Sequence, residues 1–190
     1  GEDTAGELYL VDYRGQIFQL EENPQPDRSA QFPRRLSQTG LFASTAAQTP
    51  AAGVIPYQIN APAWADHSQS QRWLAIPGRG HITSDGAGNW QFPDGSVLVK
   101  TIHQRTHKAA NQRLETQILH RAENSWRPYT YVWNDAGTDA ELAPAGGLDL
   151  TLSVDPASPS PARWRVHSRS WPCRKQSDLI FRCFSRPTCG

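Results

Sequence analysis

The sequence predicts an all-β fold, an antiparallel β-sandwich of jelly-roll-like form with long Pro-rich loops. Apolar residues recur at every second position through much of the chain, the mark of half-buried strands. Turn signals separate those runs at short intervals, and 15 Pro and 14 Gly among 190 residues disfavour a helical bundle. At 37% hydrophobic residues, the chain can build one modest core.

The elements follow in chain order. Leu8 and Leu10, then Ile17, Phe18 and Leu20, flank Tyr13-Arg14-Gly15-Gln16 and read as a hairpin, so residues 1–22 form a remnant of their own. Pro24, Pro26, Pro33 and Pro50 make residues 23–53 a linker or laid-down loop. The β-sandwich domain is expected over residues 54–170. Trp73-Leu74-Ala75-Ile76 stops at Pro77-Gly78, and Trp90-Gln91-Phe92 stops at Pro93-Asp94-Gly95, where Pro presets φ and Gly accepts positive φ. Residues 97–103 form the most apolar strand. Leu114, Thr116, Ile118 and His120 alternate with Glu115, Gln117, Leu119 and Arg121, and Glu123-Asn124-Ser125 turns this strand into residues 126–133. Leu148, Leu150, Leu152 and Val154 alternate with polar neighbours, and Trp164-Arg165-Val166 is the last strand. A short helix fits only at residues 66–73 or 138–142. The expected core is Trp73, Leu74, Ile76, Trp90, Val97, Val99, Ile118, Tyr131 and Trp133.

Charge and cysteine usage narrow the function. Nineteen basic and eighteen acidic side chains give +1, so no global field recruits nucleic acid or an anionic membrane. No apolar run reaches the roughly 18 residues of a membrane span. The sequence has no Met, so Gly1 reads as a terminus left by processing or by cloning. Cys173, Cys183 and Cys189 all fall in residues 171–190, an irregular basic tail, and lack the pairing and spacing of a zinc site.

Several constellations bear on chemistry. His103 and His107 have the spacing that holds zinc on a helix, but they sit at a strand end without the following Glu of a metalloprotease. With His120 they are the candidate general bases, since imidazole titrates near neutral pH. Asn134, Asp135 and Asp139 place oxygen side chains in one tight turn after an aromatic strand. Asp66 could add a donor from a second loop, which makes calcium the cofactor this set would hold. The plainer reading is that these residues only shape Asx turns. Trp64 and Trp133 would wall a small-ligand pocket beside those carboxylates, although tryptophans at period two are commonly core. There is no nucleophile elbow, phosphate loop or dinucleotide fingerprint.

Two resemblances emerge from these segments. Gly6-Glu-Leu-Tyr-Leu-Val-Asp-Tyr-Arg-Gly-Gln-Ile-Phe-Gln-Leu20 resembles the closing strands of a six-bladed propeller of the glucose/sorbosone dehydrogenase type, secreted proteins that use pyrroloquinoline quinone and calcium. A longer stretch carries Phe32-Pro-Arg-Arg-Leu-Ser-Gln-Thr-Gly-Leu-Phe42, Asn60-Ala-Pro-Ala-Trp-Ala-Asp66, Phe92-Pro-Asp-Gly-Ser-Val-Leu-Val-Lys-Thr101 and Tyr129-Thr-Tyr-Val-Trp-Asn-Asp135. It is similar to the β-rich region that follows such propellers in bacterial multidomain proteins and precedes a c-type haem domain. The resemblance implies a periplasmic or extracellular bacterial location, other domains of a parent protein as partners, and a small sugar or lactone as ligand. It carries no quinone-binding residue, so no pyrroloquinoline quinone is expected in this chain. No Cys-x-x-Cys-His follows Trp164, so covalent haem is not expected either. The tail instead reads as sequence joined at a break.

Two functions follow as expectations. One is a non-catalytic interdomain or ligand-binding β module from a secreted sugar-oxidising multidomain protein. The other is a calcium-dependent hydrolase of small lactones or related cyclic esters, with a hard cation polarising the carbonyl.

Overall fold

The computed structural model describes residues 1–21, 29–60, 68–86, 88–106, 111–152 and 162–166. The fold is all-β, antiparallel and sandwich-like, and among the described residues there is no α-helix. The chain divides into two compact units, Gly1–Phe32 and Pro33–Gly190.

The first unit carries a hairpin of β1 (Tyr9–Val11) and β2 (Ile17–Gln19), with Leu10 opposite Phe18 and Val11 opposite Ile17. Asp12 shapes its turn by accepting from the backbone N–H groups of Arg14 at 2.8 Å and Gln16 at 3.0 Å. Gly15, at φ 79°, supplies the left-handed residue that the turn requires.

In the second unit the short pair β3 (Phe42–Ser44) and β4 (Thr49–Pro50) precedes β5 (Val54–Tyr57) and β6 (Gln69–Ala75). A second short pair, β7 (Thr83–Ser84) and β8 (Trp90–Gln91), leads to the long strands β9 (Val97–Gln104), β10 (Gln112–Ala122) and β11 (Ser125–Trp133). β12 (Ala140–Leu142) and the hairpin β13 (Leu148–Leu152) with β14 (Ala162–Val166) complete the series. The main sheet has six strands in the order β12-β11-β10-β9-β6-β5.

Register divides the side chains of that sheet between two faces. Trp73, Val99, Ile118 and Tyr129 form one row of the first face, and Gln71, Thr101, Thr116 and Tyr131 form the next. Leu36, Leu41 and Phe42 cover this face and complete the larger core, with Phe42 edge-on to Trp73 at 5.1 Å. On the second face Leu74, Leu98 and Leu119 are covered by Phe92, Ile82 and Trp90. The sandwich character therefore comes from packing on both sides of one sheet, since each face is too apolar to meet water.

Several expectations meet the structure here. Trp73, Val99, Ile118, Tyr131 and Trp133 are buried, whereas Leu74, Trp90 and Val97 are half-buried and pack against the two cores, and Ile76 is half-buried. Residues 33–53 do more than connect: Leu36, Leu41 and Phe42 supply one wall of the core. Where short helices fit, residues 69–73 belong to β6 and 140–142 to β12, because each segment finds a strand partner to bond its backbone. The turn at Glu123-Asn124 is a two-residue loop with both φ values positive, 51° and 61°. Asn124 is held there by its own N–H to Asp94 and by Arg121, whose Nη2 donates to its Oδ1 at 2.7 Å.

The packing on the first face sets a clear expectation for stability. Trp73→Ala should cost about 3–5 kcal/mol in denaturant unfolding, while Ile55→Ala, on the edge strand, should cost less than about 1 kcal/mol. Equal losses would mean that the first face is not the principal core.

Candidate functional site

The most developed polar arrangement lies at one end of the first face, where β9 and β10 part. Thr101 and Thr116 are opposite each other, fully buried, and their hydroxyls are 2.7 Å apart. A buried hydroxyl without partners costs free energy, so each hydroxyl requires further bonds. Gln48 provides one: its Nε2 donates to Thr101 Oγ1 at 2.7 Å. Trp133 provides the other, its indole N–H donating to Thr116 Oγ1 at 2.9 Å. Gln48 reaches inward from a left-handed backbone, φ 51°, that a non-glycine residue adopts only when its surroundings hold it there.

Arg113 closes the circuit. Its Nε donates to Gln48 Oε1 at 3.1 Å, its Nη1 to the Gly137 carbonyl at 2.8 Å, and its guanidinium lies 4.8 Å from the centre of the Trp133 ring. A β-bulge aims it. The register shifts between Arg113 and Glu115, so Leu114 is the extra residue and Arg113 faces His103 on the same side as Thr116. Strict alternation would have turned Arg113 to the opposite face.

His103 is 4% exposed, and neither of its ring nitrogens has a hydrogen-bond partner among the described residues. Burial, helped by the adjacent Arg113 charge, holds its titration at about 4, so the imidazole is neutral at pH 7. Tyr131 on the same face is pushed up to about 12 by burial, and its hydroxyl donates to the Pro33 carbonyl at 3.0 Å.

The second face carries its own ionisable pair. Glu115 is buried, with Oε1 accepting from Gln117 Nε2 at 2.7 Å and Oε2 without a partner. Burial raises its titration, and the nearby Lys100 charge only partly opposes this. Lys100 is lowered, first by burial and then by Arg72. The indole of Trp164, on β14, lies beside the Glu115 carboxylate but outside hydrogen-bond geometry.

The residues expected from sequence are distributed as follows. Asn134, Asp135 and Asp139 do share one turn, and the side chains of Asn134 and Asp139 accept hydrogen bonds from the protein itself. Asn134 Oδ1 accepts from the Thr138 N–H at 3.0 Å, and the Asp139 carboxylate accepts from the Ser37 N–H at 3.1 Å and the Ser37 hydroxyl at 2.7 Å. The turn's Gly137 carbonyl faces the Arg113 guanidinium, a cation already in place. Among the described residues no group of three or more His, Cys, Asp or Glu side chains could hold a metal ion. Trp133 is 6% exposed and belongs to the larger core. His120 is half-buried on the first face, opposite Val97 and Arg127. Asp66, Trp64 and His107 lie outside the described residues. Sequence reasoning missed Gln48 and Arg113. The available signal was Thr101 and Thr116, two hydroxyls in the same alternation as Val97, Val99, Leu114 and Ile118.

Comparison with known protein families, with curated proteins and with solved structures finds no match. No helix among the described residues is long and apolar enough to cross a membrane.

His103 makes stability depend on pH. Between its ordinary value of 6.5 and its folded value of about 4, the unfolded chain binds a proton that the folded chain refuses. Stability is therefore lost as pH falls through that window and levels off below it. Glu115, raised in the fold, works in the opposite sense above its ordinary value of 4.5. The measurement is the difference between wild type and His103→Leu, which removes the imidazole term alone. Wild type should lose up to about 3 kcal/mol relative to His103→Leu between those limits. Parallel curves would show that His103 charges freely in the folded state.

Proposed function

We propose that the chain is a non-catalytic β module that joins other domains of a secreted bacterial sugar-oxidising protein, working in the periplasm or outside the cell. The N-terminal hairpin carries this reading. Leu8, Leu10, Phe18 and Leu20 share one side of it and are each 50–56% exposed, while Val11 and Ile17, on the other side, are 69% and 70% exposed. Strands that are apolar on both sides belong inside a larger assembly, covered on both faces. Two strands alone are marginal in water. Gly1 and Glu2 already bond the outer edge of β1 at Tyr9 and Leu8, and the outer edge of β2 is the one that can accept a further strand. Resemblance of the same residues to propeller-closing strands supports a propeller as the neighbour. The alternative, a calcium-dependent hydrolase of lactones, has no comparable feature behind it among the described residues.

The test is calorimetric titration of the full chain against a glucose/sorbosone-type propeller that lacks its own closing strand pair. Binding should be measurable for the full chain and at least tenfold weaker for Phe18→Asp, whose side chain lies on the apolar side. Absence of binding, or equal affinity of Phe18→Asp, would overturn the proposal.

A further inference from the structure

We propose that the bulged end of the six-stranded sheet binds a small oxyanion, a carboxylate or phosphate group held between the Arg113 guanidinium and the His103 imidazole. This does not rest on the docking role of the hairpin, which lies in the other unit.

Arg113 is half-buried, yet no carboxylate among the described residues pairs with it. Its two hydrogen bonds go to neutral acceptors, Gln48 Oε1 and the Gly137 carbonyl, leaving Nη2 without a bond to any described residue. A cation taken partly out of water without a counter-ion is costly, and proteins seldom hold one so firmly without a use for it. Here the guanidinium is fixed by two hydrogen bonds and by the Trp133 ring, so its planar fork is pre-organised for a charged acceptor.

Directly opposite on β9 lies His103, more than nine-tenths buried, with both ring nitrogens unpartnered. A neutral imidazole needs an acceptor for its N–H, and buried polar atoms nearly always find a partner. The described residues supply none. An oxyanion between the two residues would accept from Nη2 and from the imidazole together, satisfying both and neutralising the guanidinium. It would also favour the charged imidazole. Among the described residues the neighbouring ionic groups are Arg113 itself on β10, exposed Arg105 two residues along the chain from His103, and exposed Asp135 in the turn whose Gly137 carbonyl bonds Arg113. Asp139, in the same turn, is held by Ser37. The placement is built rather than incidental, because the Leu114 bulge turns Arg113 to this face and Gln48, from a left-handed backbone, bonds its Nε.

The experiment follows the His103 ring resonances of the full chain by NMR. Inorganic phosphate and acetate are titrated separately at constant ionic strength, with chloride as the reference salt. The proposal expects saturable shifts with phosphate, acetate or both, and a His103 titration midpoint at least one pH unit higher at saturation. Phosphate alone would mark a phosphoryl ligand, and acetate alone a carboxylate ligand. Arg113→Lys, which keeps the charge but loses the fork, should bind at least tenfold more weakly. Arg127→Gln, a change at an exposed residue that pairs with Glu123, should bind as wild type. The wild-type titration stands whether or not Arg113→Lys folds. Shifts that chloride reproduces, no saturation with either anion, or an unchanged affinity in Arg113→Lys would overturn the proposal.

Discussion

Two threonine hydroxyls, Thr101 and Thr116, meet in the interior where water cannot reach either, and much of the surrounding structure answers to that contact. An unsatisfied buried hydroxyl costs about 1–3 kcal/mol. Gln48 and Trp133 are drawn inward to complete the set, and Gln48 in turn must satisfy its own amide oxygen, which Arg113 does. Arg113 then ties the Asn134–Asp139 turn to the sheet through Gly137. A polar chain of this kind is strong when complete and weak when any member is lost, because the low-dielectric interior magnifies both cases. It joins the segment before β5 to three strands of the main sheet, contacts distant in sequence that apolar packing alone would leave less specific.

The two faces of the sheet divide their tasks along the strand direction. Toward one end both faces are apolar and carry the cores around Trp73 and around Leu98. Toward the other end they turn polar together, with Thr101, Thr116 and His103 on the first face and Lys100 and Glu115 on the second. The polar end holds groups whose titrations are displaced by burial, a pattern often found where proteins bind ligands. The apolar end supplies the stability that tolerates them.

Much of this architecture was legible in the sequence. Period two found the long strands, Pro93-Asp94-Gly95 and Glu123-Asn124 found their turns, and the aromatic residues of β11 marked the core side. What escaped has physical causes. Prolines and small residues mark 23–53 as a linker or laid-down loop, yet Leu36, Leu41 and Phe42 close the core through three-dimensional placement. The Leu114 bulge leaves no trace in composition, so extending the alternation to Arg113 would place it on the opposite face. Gln48 adopts positive φ without being glycine, which no local signal announces. The Asn134-Asp135 turn was correctly seen as rich in oxygen. Sequence could not show that its oxygens are occupied by Ser37 and Thr138.

The measurement closest to the centre of this account is a double-mutant cycle between Gln48→Leu and Thr116→Val, read by denaturant unfolding. These two side chains both bond Thr101 and have no hydrogen bond to each other. If the polar chain acts as a unit, their effects are coupled through Thr101 by about 0.5–3 kcal/mol. Additivity to within about 0.5 kcal/mol would show instead that the bonds act separately and that the sheet does not depend on the chain being complete.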